Sequence, residues 1–443
     1  MTYDPLISKN CADQPLPDSY WASTITYPPA ENLLSQNQQV DVAIIGGGFT
    51  GLLTAYYLST EYQIDCCVLE ANQVGFGASG RNAGFVLKGS GRLSYSQMAS
   101  KWDLDIAKGI YNEFSEAVSR VEGLIESHNI DCDKQENGYL KIAHNKKALS
   151  SLQAQSDFIA KNIGGNSEFI SSEKLKSDFM INHEAYGALR LNDGFGINPL
   201  KLVLGYGDMV RKQGISIFEK TPVLDWQHNS DKHILTCPNG TVTAKQVVCA
   251  ANAYNSQKTH QAIAQRYLPI LSNIMVTRPL TELELQITGL KTNQVTMDTR
   301  TLKYYYRLLP DNRILFGGRG AVKGKNQDKA IYKQRLQAAL GQCFPVLKNI
   351  NIDYFWSGWI AAALDDMPHV FSNNNTAYSL GYCGSGVSFS AQAAYRLAQQ
   401  IAKDKVPDLP LYNAPLPKFP FAQFRRLGQA AYYNYGWLKD KYL

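Results

Sequence analysis

The chain has 443 residues, a net charge of +6, 44% apolar residues and 19% charged residues. This length predicts two or three domains, and the composition is typical of a folded globule rather than a disordered or collagen-like chain. The charges are scattered without an aromatic-interleaved basic stripe, which argues against nucleic-acid binding. No uncharged apolar run reaches 18 residues, so a membrane-spanning helix is not expected. The N-terminal segment lacks the pattern of a signal peptide.

The eight cysteines form no C-x-x-C pair and no cluster with metal-ligand spacing. We therefore expect no metal site. Cys66 and Cys67 are adjacent in an apolar segment and are expected to pack in the core. This cysteine usage is typical of reduced thiols, which predicts a cytoplasmic protein.

The first elements alternate between strand and helix. Residues 1–37 are rich in Pro, Ser and Asn and predict an extended arm packed on the surface. A β-branched run predicts a buried strand over 40–45. The composition of 51–61 predicts a helix, and a second strand is predicted over 65–70. The helical spacing of apolar residues over 92–128 predicts either one long helix or two shorter ones.

Strand-like segments dominate the middle of the chain. Asn198 and Pro199 predict an N-cap and first turn for a helix that ends near 212. The sequence Pro310-Asp311-Asn312 predicts a hairpin turn. Further helices are predicted near 146–161, 328–342 and 387–403, and a C-terminal helix within 418–443. Further strands are predicted over 138–144, 187–191, 215–218, 223–226, 234–237, 246–250, 270–278, 302–309, 313–318, 356–362 and 377–382.

This order of elements predicts a mixed α/β fold in which a nucleotide-binding domain is interleaved with a mixed-sheet second domain. The nucleotide-binding segments are 38–130, 195–255 and 351–443, the last with the C-terminal helix. The second domain comprises 131–194 and 256–350, and the arm is 1–37.

Residues 46–51 spell the G-x-G-x-x-G pattern between a predicted strand and a predicted helix. Gly46 permits the tight turn, Gly48 lets the backbone approach a pyrophosphate, and Gly51 lets the helix pack closely on the strand. The helix N-terminus adds a partial positive charge beside the phosphates. Glu70 ends the next strand, where its carboxylate accepts hydrogen bonds from a ribose. This unit predicts a dinucleotide site and fits NAD as well as FAD.

A second glycine-rich loop favours FAD. Residues 75–84 read Gly-Phe-Gly-Ala-Ser-Gly-Arg-Asn-Ala-Gly, a loop that a large flat group can approach closely. A nicotinamide dehydrogenase has no need of such a loop directly after the acidic residue. The alternative is an ordinary mobile surface loop.

Together with later segments, these motifs resemble the D-amino-acid-oxidase and glycine-oxidase superfamily of FAD enzymes, and within it the gamma-glutamylputrescine oxidoreductase branch. The segments that carry the likeness occur in the expected order from 41 to 387. They are DVAIIGGGFTGLLTAYYL (41–58), VLEANQVGFGASGRNAG (68–84), VVCAANAYN (247–255), YYRLLPDNRILFGGR (305–319), WSGWIAAALDDMPHV (356–370) and GYCGSGV (381–387).

The resemblance implies a Rossmann-like FAD domain and an antiparallel sheet that roofs the flavin. GYCGSGV opens a helix whose positive end would face the flavin and stabilise the charge that reduction adds. The cofactor residues that the resemblance implies are Gly46, Gly48, Phe49, Thr50, Gly51, Glu70, Ala71, Gly77, Ala78, Ser79, Arg81, Asn82, Ala83, Gly84, Val223, Ala250, Ala251, Gly358, Gly384, Ser385, Gly386 and Val387.

The chain departs from the family pattern at several positions. Ser385 stands where the family often has His, and Ser388 stands where sarcosine-type oxidases carry a basic residue for the substrate carboxylate. Sarcosine-type oxidases also attach FAD to a Cys ahead of the penultimate strand; residues 353–366 contain no Cys, so the resemblance implies non-covalent FAD. Those enzymes use a lysine near the flavin to react with oxygen, and the strand 313–318 contains none. The electron acceptor therefore stays open between O₂ and a quinone-type compound.

The reaction implied is removal of hydride from the carbon next to nitrogen in an amine or amino acid, followed by hydrolysis of the imine. Polyamine derivatives similar to gamma-glutamylputrescine are among the candidate substrates. No catalytic side chain is assigned, because the flavin carries the difficult step. Candidate substrate contacts are Tyr305, Arg307 and Ser385; the alternative for the strand 302–309 is an ordinary aromatic-rich strand with a surface arginine.

Two other functions stay open at this point. One is a flavin monooxygenase, although residues 381–384 lack the Gly-Asp pair usual in that class. The other is a non-catalytic flavin-binding partner protein. A monomer or small homo-oligomer is expected, and the aromatic and basic tail 418–443 allows at most peripheral membrane contact.

Overall fold

The protein is described from a computed structural model, which covers residues 2–30, 32–89, 92–165, 167–229, 231–255, 260–373 and 375–442. It contains two eight-stranded sheets and a two-stranded ribbon. The predicted mixed α/β class is confirmed. Residues 256–259, where the predicted segment 256–350 begins, lie outside the described residues.

The secondary structure alternates between the two sheets along the chain. The strands are β1 Gln38–Ile45, β2 Cys66–Leu69, β3 Phe85–Val86, β4 Tyr139–Ile142, β5 Ser167–Ser171, β6 Gly187–Leu191, β7 Phe195–Gly196, β8 Ser216–Phe218, β9 Asp225–Asn229, β10 Lys232–Cys237, β11 Gly240–Cys249, β12 Leu268–Thr277, β13 Val295–Asp298, β14 Tyr305–Leu308, β15 Ile314–Arg319, β16 Ile352–Ala362, β17 His369–Asn373 and β18 Thr376–Leu380. The α-helices are α1 Tyr20–Ser23, α2 Phe49–Tyr62, α3 Ala78–Arg81, α4 Tyr95–Lys101, α5 Leu104–Ser127, α6 Lys146–Phe158, α7 Ser172–Asp178, α8 Pro199–Lys212, α9 Glu282–Thr288, α10 Ala330–Cys343, α11 Gly386–Ile401, α12 Pro410–Asn413 and α13 Arg425–Tyr442.

The first sheet has the order β17-β18-β11-β1-β2-β8, with the β9–β10 hairpin paired to β11. Its centre is parallel, since β1 pairs in parallel with both β11 and β2. Helices α2, α5, α8 and α11 contribute to one large core against this sheet, which buries Leu52, Phe114, Val203 and Leu397 completely. Coverage by helices explains why β1 and β2 read as continuous apolar runs.

The second sheet has the order β16-β12-β15-β14-β13-β4-β6-β5 and is antiparallel except for the β13–β4 pair. Helix α10 packs on one of its faces through Leu336 and Leu340, against Tyr306 and Phe316. Strand β16 belongs to this sheet although the sequence places its residues in the last nucleotide-binding segment. The opposite face of the second sheet carries Tyr305 and looks towards the glycine-rich loop that precedes β3.

Local signals explain most of the elements. The stretch 92–128 forms two helices, α4 and α5, because Asp103 accepts a hydrogen bond from Ile106 N and starts a new helix. Asn198 caps α8 with Pro199 at its first position, as predicted. The hairpin turn at 310–312 is confirmed by the Leu309–Arg313 hydrogen bond.

Several predicted strands differ from the structure in position, and short elements were missed. The predicted strand 223–226 lies further along, as β9. The elements that the sequence did not predict have two to seven residues each, and they are α1, α3, β3, β5, α7, β7, α9, β13, β17 and α12. Segments this short carry too few residues to show a period.

The N-terminal arm corrects the prediction of a surface arm. Tyr3, Cys11 and Trp21 are at most 5% exposed. The side-chain amide of Asn72 donates to the carbonyls of Cys11 and Gln14 at 2.8 and 2.9 Å, and the indole N–H of Trp21 donates to Asn82 O at 2.8 Å. Side chains from distant segments therefore fasten the arm into the core.

The C-terminal helix α13 carries an uncovered apolar side. Exposed side chains recur along it at helical spacing: Phe424 just before its start, then Leu427, Tyr435, Leu438 and Tyr442. Among the described residues, no helix combines the length and hydropathy needed to cross a bilayer.

Candidate cofactor and active site

The turn between β1 and α2 is built by backbone contact. Gly46 has a φ of +117°, and an added Cβ would lie 2.8 Å from Ala251 N at the end of β11. A Cβ on Gly51 would lie 1.9 Å from Gly46 O. No side chain fits at either position, so the strand, the turn and the helix are held at the distance that glycine alone permits.

Glu70 follows β2 and is 8% exposed. Its carboxylate accepts hydrogen bonds from Gly47 N at 2.7 Å and Asn72 N at 2.8 Å. Burial is the largest effect and raises the pKa of Glu70 to about 7, although both backbone bonds favour the charged form. A further donor would stabilise the carboxylate and lower its pKa, which is what a ribose hydroxyl supplies.

The second glycine-rich loop folds onto the first turn of α2. Ser79, in the short helix α3, accepts a hydrogen bond from Phe49 N at 2.9 Å. The Asn82 side chain donates to Ser79 O at 2.8 Å and accepts from Gly84 N at 2.7 Å. The alternative for this loop was a mobile surface segment. The hydrogen bonds instead fasten it to the dinucleotide-binding unit.

Arg81 supports this loop from behind. Its guanidinium donates to the carbonyls of Phe76 and Gly77 and to Ser357 O of β16. It also lies over the Tyr254 ring, 5.5 Å from the centroid, and an added Cβ on Gly358 would lie 2.9 Å from its Cδ. Arg81 therefore joins the loop to the second sheet.

The segment 381–387 opens α11 at the other side of the cavity. Gly384 has a φ of +105°, and the Ser385 hydroxyl donates to Tyr382 O at 2.7 Å. The Tyr382 hydroxyl shares hydrogen bonds of 2.7 Å with Thr50 in α2 and with Ser379. The N-termini of α2 and α11 are consequently fixed beside one another, and both carry a partial positive charge.

These segments enclose one cavity of about 1170 Å³, part of it open to solvent. Most of the predicted cofactor residues lie on its walls. Those residues are Gly46, Gly48, Phe49, Thr50, Glu70, Ala71, Gly77, Ala78, Ser79, Asn82, Val223, Ala250, Ala251, Gly384, Gly386 and Val387.

The remaining predicted cofactor residues are not on the walls. Gly51 and Gly358 are packing positions, and Arg81 supports the loop. Ala83 packs beside Phe85, and an added Cβ on Gly84 would lie 2.0 Å from Ile197 O. The Ser385 hydroxyl donates a hydrogen bond to the Tyr382 carbonyl.

The cavity also has walls that the sequence did not predict. Lys9, Asn10 and Cys11 of the arm line it, as do Ile360 of β16 and Tyr382. The arm has no periodic pattern from which this position could be read. Other wall residues fall in quoted segments: Tyr254 and Asn255 in 247–255, Ile360 in 356–370 and Tyr382 in 381–387. Those motifs therefore held a usable signal.

The candidate substrate contacts lie in different places. Tyr305 is half-buried on the face of the second sheet that looks towards the loop, with its hydroxyl 2.7 Å from Ser272 Oγ. Arg307 is 2% exposed and donates to Gln135 and to Ile197 O, with its guanidinium 5.4 Å from the Trp21 ring centroid. The structure thus brings Tyr305 near the site and places Arg307 in a packed interior.

The donor set suits a dinucleotide. Backbone N–H groups at two helix starts, close-approach glycines and a buried carboxylate are the groups that bind phosphates and ribose. No cluster of His, Cys, Asp or Glu in the described ranges has metal-binding geometry. The residues present therefore fit FAD.

Comparison with known proteins agrees with this geometry. The family model for "FAD dependent oxidoreductase" matches residues 41–400. "Gamma-glutamylputrescine oxidoreductase" of Escherichia coli (strain K12) is 32% identical over 428 residues, which cover 95% of this chain and 97% of that protein. "Probable oxidoreductase OrdL" of Haemophilus influenzae (strain ATCC 51907 / DSM 11121 / KW20 / Rd) is 30% identical and covers 85% of both chains.

Solved structures show the same fold at lower sequence identity. Glycine oxidase from Geobacillus kaustophilus superimposes with a TM-score of 0.70 at 19% identity, covering 86% of this chain and 99% of that one. L-proline dehydrogenase from P. horikoshii gives 0.69 at 18% identity, covering 85% and 96%. The overall fold of this chain is therefore shared with these two proteins.

Proposed function

This chain belongs to the family of FAD-dependent oxidoreductases, and on that premise we propose that it oxidises a C–N bond in an amine or amino acid. The observation that carries the proposal is the cavity in which the starts of α2 and α11 meet under the second sheet. A substrate enclosed between that sheet and the cofactor would have the carbon beside its nitrogen next to the flavin.

We assign the cofactor contacts from this geometry. Gly46 and Gly48 present backbone to the pyrophosphate, Glu70 accepts from the ribose, and Val223 borders the adenine. The start of α11 lies at the flavin end. We propose that FAD is held non-covalently, because residues 353–366 lack the cysteine to which sarcosine-type oxidases attach it. Acid precipitation is then expected to release the flavin.

FAD, when bound, supplies the acceptor for a hydride taken from the carbon next to nitrogen. The chain orients the amine and excludes water. Ile360, Tyr382 and Val387 form part of the cavity wall, and the positive end of α11 favours negative charge beside it. The imine product then reacts with water, which releases the amine nitrogen and leaves a carbonyl compound.

The substrate class proposed is a polyamine derivative of the gamma-glutamylputrescine kind. It is supported by the relative from Escherichia coli, which is similar over nearly the whole chain. Glycine oxidase of Bacillus subtilis, at 20% identity, is more distant. Amino acids therefore form the second group of candidate substrates.

The test is anaerobic mixing of the flavin-loaded protein with a panel of polyamines, gamma-glutamyl polyamines and D- and L-amino acids. The proposal expects bleaching of the visible flavin band by an amine without NADPH. Bleaching by NADPH alone would instead support a monooxygenase. No bleaching by any amine or by NADPH would support a non-catalytic flavin-binding partner.

The electron acceptor is proposed to be O₂ or a quinone, and reoxidation of the reduced protein by air or by a soluble quinone distinguishes them. The exposed apolar side of α13, flanked by Lys439 and Lys441, supports peripheral contact with an anionic membrane, where quinones reside. Co-sedimentation with anionic but not neutral vesicles is expected. We also propose a cytoplasmic location, since the described cysteines are all unpaired.

A further inference from the structure

The second sheet turns a cationic face towards the cofactor cavity. Strand register places Gly358, Ser272 and Arg319 side by side on β16, β12 and β15. Directly paired residues on neighbouring strands project from the same face. An added Cβ on Gly358 would contact Arg81 of the glycine-rich loop, so this face of the sheet is the one towards the loop. The Arg319 side chain therefore projects towards the loop and not towards α10.

A second row of paired residues extends the same face. Lys141, Met297, Tyr305 and Gly317 lie in register across β4, β13, β14 and β15. The Tyr305 hydroxyl is 2.7 Å from Ser272 Oγ, which joins this row to the first. The Tyr305 ring also meets Phe85, directly after the glycine-rich loop, with 5.9 Å between centroids. Lys141 and Arg319 thus share the side that looks towards the cofactor.

Lys303 adds a third cation to this group. It precedes β14 by two residues and is half-buried. Burial and then the positive charges of Lys141, Arg92 and Arg319 lower the pKa of Lys303 to about 7. A lysine on a solvated surface would not be so affected, which distinguishes this group from an ordinary basic patch.

Among the described residues, none of the three cations forms an ion pair. Within the described ranges, Lys303 and Arg319 form no hydrogen bond or ion pair, and Lys141 donates only to the neutral amide of Gln155 at 3.1 Å. Two carboxylates favour the charge of Lys303, namely Asp298 and Asp366. Asp298 is already paired with Arg300 at 2.5 Å, and Asp366 acts on Lys303 without forming an ion pair with it. Partly buried like charges that outnumber their counter-ions are unfavourable, and an arriving anion would relieve the repulsion.

We propose that Lys303, Arg319 and Lys141 bind a carboxylate at the end of the substrate remote from the reacting amine. This inference rests on the proposed function and adds its specificity: the preferred substrate is an amine with a distant carboxylate. The Tyr305 hydroxyl lies in the same group, next to the Ser272 hydroxyl, which itself donates to Gly318 O at 3.0 Å. Arg307 does not belong to it, because its guanidinium is occupied by Gln135 and Ile197.

Binding is tested without turnover, by titrating the flavin-loaded protein with glutarate and following the flavin spectrum and the heat of binding. Replacing one charge-assisted partner removes about 1.5–3 kcal/mol, so Lys303→Gln and Arg319→Gln are each expected to raise the Kd for glutarate about 10- to 100-fold. Lys303→Arg keeps the charge and is expected to restore binding. The matched control is Lys329→Gln, at an exposed position before α10.

A turnover arm separates this inference from the proposed function. The ratio of kcat/KM for 6-aminohexanoate to that for hexylamine is expected to fall in Lys303→Gln and Arg319→Gln and to stay constant in Lys329→Gln. Unchanged glutarate binding in both glutamine variants overturns the inference, as does tighter binding of phosphate than of glutarate. If glutarate binds as expected but no amine reduces the flavin, the proposed function fails while the carboxylate site stands.

Discussion

The two sheets contribute to the cavity in different ways. The first sheet offers backbone: glycines that admit no Cβ, two helix starts and one buried carboxylate, Glu70. The second sheet offers side chains: Ile360 lines the cavity, and Tyr305 and Arg319 lie on the same side of the sheet, aligned by strand register. Backbone recognition requires particular residues at fixed spacing, whereas a sheet face can change its side chains and keep its fold. The difference predicts that variants of the first sheet lose the cofactor and variants of the second change the substrate.

The largest effect is expected where backbone meets backbone. In Gly51→Ala the new methyl group would lie 1.9 Å from Gly46 O, so the turn must open, at a loss of about 4 kcal/mol of stability. We expect a purified protein without bound flavin, measured as flavin per chain and by thermal unfolding.

The matched control is Gly123→Ala, the same change in helix α5 where an added Cβ meets nothing within 4 Å. It is expected to keep the flavin and to gain up to about 1 kcal/mol from helix propensity. Full flavin content in Gly51→Ala would contradict the prediction that variants of the first sheet lose the cofactor.

Arg307 is a cation of the second sheet with a structural role. Arg307→Met leaves Gln135 and the Ile197 carbonyl without their donor in a packed interior, which is expected to cost about 3 kcal/mol in chemical denaturation. Folded protein should still bind glutarate within about threefold of the unchanged chain. A selective loss of glutarate affinity at unchanged stability would return Arg307 to the substrate site.

Glu70 gives the first sheet a pH dependence. Its pKa of about 7 lies above the ordinary 4.5, so the folded apoprotein holds this proton more tightly than the unfolded chain. The resulting stability is present below pH 4.5 and lost as the pH rises to about 7, by about 3 kcal/mol at most.

Glu70→Gln removes the titrating group and should flatten that dependence. Urea denaturation of flavin-free protein at pH 5 and pH 8, with and without the substitution, measures the difference. Equal pH slopes in the two proteins would show that Glu70 does not titrate in this range.

The smallest effect is expected at Ser385. Its hydroxyl serves the Tyr382 carbonyl at 2.7 Å, so Ser385→Ala should lower stability by about 1 kcal/mol and change KM by less than about threefold. A tenfold rise in KM would instead support the prediction that Ser385 contacts substrate. Steady-state kinetics on one amine decides between them.

Local sequence patterns were enough to predict which backbone segments lie together around the cavity. G-x-G-x-x-G, Glu70 and the loop 75–84 are local patterns whose chemistry follows from spacing, and the structure brings them to one cavity. The cationic face could not be read the same way. Lys303 and Arg319 lie at the two ends of one predicted hairpin, but Lys141 joins them only through the pairing of β4 with β13, which are far apart in the chain. The arm escaped prediction for a related reason, since Asn72 and Tyr254 hold it through contacts that no local pattern encodes.

Removal of hydrogen from the carbon beside nitrogen is tested most directly by one anaerobic single-turnover experiment. An amine that reduces the flavin is compared with its counterpart deuterated only at the carbon next to nitrogen. The proposed reaction predicts slower flavin bleaching with this deuterated amine. It predicts no slowing when the deuterium is on another carbon of the amine. Equal rates from both labelled amines, or bleaching that requires NADPH, would contradict it.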